Sequence, residues 1–442
     1  MTVLGVGFAV AVVVAAIARR GVLHVVMLSA AFPTSVAVSI GNNGLPVFYC
    51  TAAVGLVASL ATGALKGAVH ASRPGRSALI LFASWSAIVT ALSPIVFAGI
   101  PVLAPRGGTD SEVSDPSALT HTFSNVAQVL YVVIAVALVL YVASRSVDPM
   151  PALRAAVLFA VALNIGRYMA REAGVTWPGD LFDTAVAVRY IDVAYGGAQR
   201  FRGMFPEPSQ LAAFALTAFV FLALCSYTRR GRAGWTYAGM AGSIFLAAVS
   251  TSSTALVAGI LIGTILSAAA GARWLQTNRI PVAAAILLPW VLVAVISVGG
   301  TVWDYVNNSV DSKLLTTSFA NRTAADAFSL GVLTDTWFVG AGLGSNRPST
   351  FVPMLLGTVG IVGMLLYAFF AIAVLARAFQ VTAALPAAWA AVALLVSKSV
   401  AGPNLSEPWL WLTLAVCAWY AWGKRDQVPA GEVAQLPRVN AA

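Results

Sequence analysis

The segment Arg200-Phe201-Arg202-Gly203-Met204-Phe205-Pro206-Glu207-Pro208-Ser209 sets two arginines and a glutamate at the edge of a long apolar run. Charge in such a place is costly unless it is paired or used. Guanidinium forks match phosphate oxygens, and a carboxylate beside them accepts from a hydroxyl. The chemistry these residues suit is recognition of a diphosphate next to a sugar hydroxyl. Pro206 and Pro208 are poorly placed inside a helix but fit its entrance. Glu207 is therefore expected at the N-terminus of the next span, where the helix dipole favours a carboxylate. The competing readings are helix capping for Glu207 and lipid-headgroup anchoring for Arg200 and Arg202.

Other chemistry-bearing residues lie downstream. Asn321 to Leu333 has helical character and places Arg322 and Asp326 at i and i+4, the spacing of an ordinary ion pair. Gly340-Ala341-Gly342-Leu343-Gly344-Ser345-Asn346-Arg347 is a glycine-rich loop whose backbone can approach a ligand, with Arg347 to hold a phosphate. Lys398 lies within an apolar span, with Glu407 a candidate partner; snorkelling is the alternative for the lysine. Trp409, Trp411, Trp419 and Trp422 read as an aromatic belt. Asp110, Glu112 and Asp115 read as a solvated acidic loop, with a metal or sugar site as the alternative.

The elements that must position these residues are membrane spans. The chain has 442 residues, of which 59% are hydrophobic and only 10% charged. Soluble domains are nearer a quarter charged. The fold class is therefore an all-α polytopic integral membrane protein, with about 12–13 transmembrane helices and three long extracytoplasmic loops. Apolar runs fall at 3–18, 22–40, 47–65, 78–100, 123–143, 153–170, 208–227, 234–250, 254–271, 280–299, 351–376, 382–400 and 408–422. Thr251-Ser252-Ser253 marks a tight hairpin or a broken helix. The net charge of +10 is spread over short loops, which excludes nucleic-acid binding. Cys50, Cys225 and Cys417 lie in apolar runs and read as small core residues. The first apolar segment ends in Arg19-Arg20 without a clear cleavage site and reads as a retained span.

Loop charge sets the expected orientation. The set containing Arg19, Arg20, Lys66, Arg73, Arg76, Arg145, Arg154, Arg229, Arg230, Arg232 and Arg377 carries few acids and is assigned to the cytoplasm, with the tail 423–442. The long loops 101–122, 171–207 and 300–350 then face outward, and a site is expected there. Residues 181–195 have the periodicity of a short amphipathic interfacial helix. No Walker A sequence is present, so energy must arrive with the substrate or as an ion gradient.

Three blocks resemble the O-antigen ligase and O-antigen polymerase superfamily of bacterial membrane glycosyltransferases. Arg202-Gly203-Met204-Phe205-Pro206-Glu207-Pro208-Ser209 is similar to that family's entry to a central span. Ser250-Thr251-Ser252-Ser253-Thr254-Ala255-Leu256 is similar to its Ser/Thr-rich junction. Asn321-Arg322, Gly340 to Ser345 and Gly357-Thr358-Val359-Gly360-Ile361-Val362-Gly363 are similar to its large outer loop and next helix. Together they cover roughly residues 195–365. The resemblance implies about twelve helices, a polyprenyl-diphosphate-linked glycan donor, and a metal-independent, cofactor-free site on the outer face of a bacterial cytoplasmic membrane. Ligases of that family carry a histidine in the large outer loop. Here His24, His70 and His121 all lie elsewhere, which favours a polymerase or a divergent transferase.

On this reading Glu207 and Arg202 are catalytic, and Glu207 orients or deprotonates the acceptor hydroxyl. Arg200, Arg202, Arg322, Arg347 and Lys398 bind the diphosphate, while Asp326 and Glu407 bind the acceptor. Inversion at the anomeric carbon is expected, since no second nucleophilic carboxylate is obvious. Expected partners are the lipid-linked donor, a glycan acceptor, membrane lipid and a chain-length regulator. Two other readings remain open: a transporter or flippase of lipid-linked saccharides, and a polyprenyl-phosphate-sugar-dependent glycosyltransferase. The latter expects acids in the first outer loop, and Gly41 to Pro46 has none.

Overall fold

A computed structural model describes residues 1–40, 43–62, 73–103, 116–185, 200–277 and 317–423. Within them the chain is helical throughout, apart from two small hairpins. The helices are α1 (Val3–Ile17), α2 (Val22–Ser29), α3 (Val47–Ala61), α4 (Arg76–Val96), α5 (Phe123–Ser144), α6 (Met150–Glu172) and α7 (Gly179–Phe182). They continue as α8 (Pro208–Tyr227), α9 (Ala233–Val249), α10 (Ser253–Thr277), α11 (Thr317–Asp335), α12 (Phe351–Ala378), α13 (Leu385–Val400) and α14 (Pro408–Trp422). Six segments are long and apolar enough to cross a membrane: α4, α5, α6, α8, α12 and Thr382–Val400. Val3–Ile17, Val47–Ala61, Ala233–Val249 and Val257–Ala269 are shorter apolar helices. The protein is an all-α polytopic membrane protein.

One core runs through α1 to α6, α8 and α12 to α14, with Trp411, Tyr49, Phe48, Phe82, Phe221 and Phe370 fully buried. α8 packs on α9 and α13, and α14 packs on α5 and α12. Isoleucine, leucine and valine stand exposed along α1 and α4, as lipid-facing positions should. Cys50, Cys225 and Cys417 are buried and free.

Two expected spans are corrected. The run 22–40 is helical only to Ser29; Pro33 follows, and Val36–Ile40 pairs antiparallel with Asn43–Pro46. Proline withholds an N–H from a continuing helix, and the β-branched Val36, Val38 and Ile40 suit a strand. The run 351–376 is broken at Gly360, whose φ of 68° and ψ of −171° are not helical. In an unbroken helix Phe351 and Tyr367 would stand roughly 24 Å apart at 1.5 Å per residue. Their rings are instead 5.8 Å apart, so the segments on either side of Gly360 fold back on one another.

The break is sealed by the loop after α11. Ala341 N–H donates to Gly357 O at 2.9 Å, Gly342 N–H to Thr358 O at 2.8 Å, and Ile361 N–H to Phe338 O at 3.1 Å. Trp85 Nε1 donates to Val359 O at 2.9 Å. Backbone groups freed by a break in an apolar bundle need such partners. The same loop corrects the phosphate reading of the glycine run. A Cβ at Gly340 would meet the Thr358 carbonyl at 2.6 Å, and one at Gly342 would meet Thr90 Cα at 2.8 Å. These glycines let α4 and α12 close on the loop, and their φ of 93° favours glycine.

The remaining expectations divide as follows. Within the described part of loop 171–207 the helical residues are the end of α6 and 179–182, and most of 181–195 lies outside the described residues. Loop 300–350 carries α11 as a full helix. The span 280–299, the acidic residues of 101–122 and the tail from 424 lie outside the described residues. Thr251-Ser252 is a tight turn between α9 and α10. The expected aromatic belt is core: Trp409, Trp411 and Trp422 are buried, and Trp411 Nε1 donates to Leu405 O at 2.7 Å.

Candidate functional site

The arginine segment divides into a closed half and an open half. Arg202 is 6% exposed. Its Nη2 donates to Asp183 Oδ2 at 2.8 Å and its Nη1 to Phe205 O at 3.1 Å. Arg167, from α6, grips the same carboxylate with Nη2 to Oδ2 at 2.7 Å and Nη1 to Oδ1 at 3.1 Å. Thr34 Oγ1 donates to Met204 O at 3.0 Å, and Met204 N–H donates to Asn164 Oδ1 at 2.8 Å. Gly203 turns at φ 57°, where a Cβ would strike Asn164. Burial alone would raise the Asp183 carboxyl. The hydrogen bonds and charges of Arg167 and Arg202 outweigh it and hold the carboxyl below its ordinary value. Arg202, read from the sequence as catalytic, is thus a structural fastener of the 200–207 turn.

Asp183 was not singled out by the sequence reading, which placed it inside an expected amphipathic helix. A usable signal was Arg167 at the end of an apolar run, where an arginine requires a carboxylate.

Arg200 stands two residues before Arg202 and is only half-buried. Phe201, between the two arginines, packs its ring against Tyr168. Arg200 Nη2 donates to Thr251 O at 3.3 Å, at the α9–α10 turn. Its Nε is buried with no partner. Burial, then the Arg322 charge, lowers the Arg200 pKa, and Glu207 opposes them. An arginine so shifted still carries its proton. Arg200, Arg322 and Glu207 therefore share one electrostatic neighbourhood with an excess of positive charge.

Glu207 occupies the N-cap position of α8, as expected, with φ −134° and ψ 149°. Its side chain does not cap the helix; it accepts from Ser209 Oγ at 3.0 Å. The expected Arg322–Asp326 ion pair is corrected. Asp326 accepts from Ser349 N–H at 2.7 Å, Thr350 N–H at 3.0 Å and Thr350 Oγ1 at 2.7 Å. Asp326 thus fastens α11 to the start of α12, with Arg322 one turn away on the same helix. Among the described residues Arg322 has no hydrogen bond or ion pair.

Lys398 is 5% exposed; its Nζ donates to Asn404 O at 2.7 Å and lies 5.9 Å from the centre of the Phe351 ring. Glu407 heads α14 as Glu207 heads α8, in extended backbone before a proline, and it too does not cap its helix. Among the described residues nothing donates to its carboxylate. Burial raises the Glu407 pKa, and the nearby Lys398 charge opposes that rise.

A chain of contacts joins these places. Asp326 holds Ser349, and Ser349 O accepts from Gly402 N–H at 3.2 Å, at the start of the loop leading to Glu407. Trp409, just after Glu407, packs on Phe214 of α8 at 5.0 Å. Arg200, Glu207, Arg322, Asp326, Lys398 and Glu407 are thereby drawn to one end of the bundle. Arg347 is set on the side of Leu103, whose carbonyl accepts from Arg347 N–H at 2.9 Å.

Comparison with protein-family models and with curated proteins finds no match for this chain.

Proposed function

We propose that the protein is a membrane glycosyltransferase that moves a saccharide from a polyprenyl diphosphate to an acceptor sugar hydroxyl, at the outer face of a bacterial cytoplasmic membrane. The single observation behind this reading is the Arg200–Arg322 pair. Two guanidinium groups near enough for the charge of one to be felt by the other, with Arg200 half-buried, suit a doubly charged anion. Their charge offsets that developing on a departing diphosphate, as cationic clamps do in phosphoryl chemistry. The carboxylates of Glu207 and Glu407 supply acceptors for sugar hydroxyls beside that anion. In the transfer, the acceptor oxygen forms a bond to the anomeric carbon. The bond from that carbon to the diphosphate oxygen breaks, and its electron pair leaves with the diphosphate. Arg347 stands as a further anion contact, on the Leu103 side.

The transporter reading gains one observation, the broken helix at Gly360, since interrupted helices form substrate sites in many transporters. Against it, the carbonyls of Gly357, Thr358 and Val359 at the break are already bonded to Ala341, Gly342 and Trp85.

The test compares cells lacking the protein with cells complemented by wild type or Arg200→Ala. Lipid-linked saccharides are extracted and sized by mass spectrometry, and intact-cell probes report their leaflet. Accumulation of unextended units on the outer leaflet, in the deletion and with Arg200→Ala, is the expected result. Accumulation on the inner leaflet alone sinks the transferase reading in favour of a flippase.

A further inference from the structure

Glu207 and Glu407 begin their helices in the same way, yet their surroundings differ. Glu207 accepts from Ser209 and feels the charge of Arg200. Its carboxylate is thus already engaged. Glu407 has no donor on its carboxylate among the described residues, and it is half-buried in the loop between α13 and α14. Among the described residues, the titratable groups that feel Glu407 come from packed neighbours. Lys398 from α13 gives its hydrogen bond to Asn404 O, and Tyr49 from α3 gives its hydroxyl to Ser406 O at 2.9 Å. Lys398 Nζ itself stands over the Phe351 ring of α12. Asp326, behind Ser349 and Thr350, has its own donors.

We propose that Glu407 is the catalytic base, taking the proton of the acceptor hydroxyl, and that Lys398 is a positioning residue that holds the 401–407 loop through Asn404. The assignment rests on the glycosyl-transfer reading above. As the acceptor oxygen bonds to the anomeric carbon, its O–H bond breaks and the proton passes to a Glu407 Oε. The carboxylic acid so formed then loses that proton to water. Glu207, beside Arg200, orients the donor sugar and holds no proton in the reaction.

The experiment uses the full chain reconstituted in vesicles, with lipid-linked saccharides extracted from cells lacking this protein as donor. Glu407→Gln is expected to lower kcat by about 10²- to 10⁴-fold, the range for a lost general base. Its KM for donor should stay within about threefold of wild type. The acid limb of the wild-type pH–rate profile should vanish in Glu407→Gln and persist in Glu207→Gln, whose KM should rise. Glu407→Asp, which keeps the carboxylate, should recover part of the rate and the acid limb. Lys398→Met should lower the rate while keeping the acid limb. Glu407→Gln that transfers at a wild-type rate, or that keeps the acid limb, overturns the assignment and leaves the transfer reading standing. A wild-type protein that binds polyprenyl diphosphate, read by thermal shift, but extends no saccharide overturns both.

Discussion

Arg200 and Arg202 are separated by one residue, yet the fold treats them as opposites. Arg202 shares a buried carboxylate with Arg167, and its Nη1 also reaches the backbone at Phe205. Among the described residues the Arg200 side chain bonds only to the carbonyl of Thr251, with another cation nearby. Folding alone accounts for the first arrangement, because both guanidinium groups bond directly to the buried Asp183 carboxylate. It does not account for the second, which raises the energy of the empty protein and is relieved by an anion. Local strain or unmet charge of this kind concentrates where a ligand binds. The closed cluster also serves the open one, since it fixes the turn from which Arg200 projects.

The sharpest way to break this comparison is Asp183→Asn. It leaves Arg167 and Arg202 buried without their carboxylate, and losing one partner of a buried ion pair costs about 3–5 kcal/mol. A fall of many degrees in the thermal midpoint in detergent is expected. An unchanged midpoint would mean that the closed cluster carries no structural load. The pH dependence has a definite sign. The Asp183 carboxyl lies below its ordinary value of 3.8 in the folded chain, so its stabilisation is full above that value. It is lost as pH falls through the lowered pKa, and Asp183→Asn should flatten that acid limb of the stability curve.

Arg200→Ala should behave in the reverse manner. Removing a cation beside Arg322 should leave the thermal midpoint unchanged or raise it, while transfer falls about 10²- to 10³-fold. Arg200→Lys keeps the charge without the fork, and is expected to recover only part of the rate. If Arg200→Ala melts as early as Asp183→Asn, the two halves of the segment are one structural unit and the contrast fails.

Asp326→Ala is a smaller perturbation. It removes three hydrogen bonds at the start of α12, and loss of a comparable helix cap costs about 0.5–2 kcal/mol. The thermal midpoint should fall modestly. Transfer should fall further than that, because Arg322 sits one turn away on the helix being released. A rate loss no greater than the stability loss would separate Asp326 from the site.

Much of this was legible in the chain, for definable reasons. Spans such as Pro208–Tyr227 and Phe123–Ser144 follow from apolar length, and Glu207 at a helix entrance follows from its flanking prolines. These signals are local. The break at Gly360 was hidden because its neighbours are as apolar as any span, and only the folded-back Phe351–Tyr367 contact reveals it. The glycine run was read as a ligand loop because glycine permits close approach without saying to what. In the structure the approaching surfaces are α4 and α12. The Arg322–Asp326 spacing suggested a pair, but the carboxylate found backbone donors more than twenty residues away, which no helical period encodes.

Ser209→Ala makes the finest cut between the two kinds of region. The Ser209 hydroxyl is a hydrogen-bond donor to the Glu207 carboxylate, and one such bond is worth about 0.5–1.5 kcal/mol. If Glu207 belongs to the open half, that energy appears in transfer as a loss of up to about tenfold in kcat/KM, with the thermal midpoint unmoved. If Glu207 belongs to the helix start instead, the loss appears as a lower midpoint with transfer intact. Both Glu207 and Ser209 are half-buried, and the Glu207 side chain leaves the first backbone N–H groups of α8 uncapped. A residue kept at an N-cap for the sake of the helix would turn its carboxylate onto those groups. The turn toward Ser209 therefore favours the first outcome.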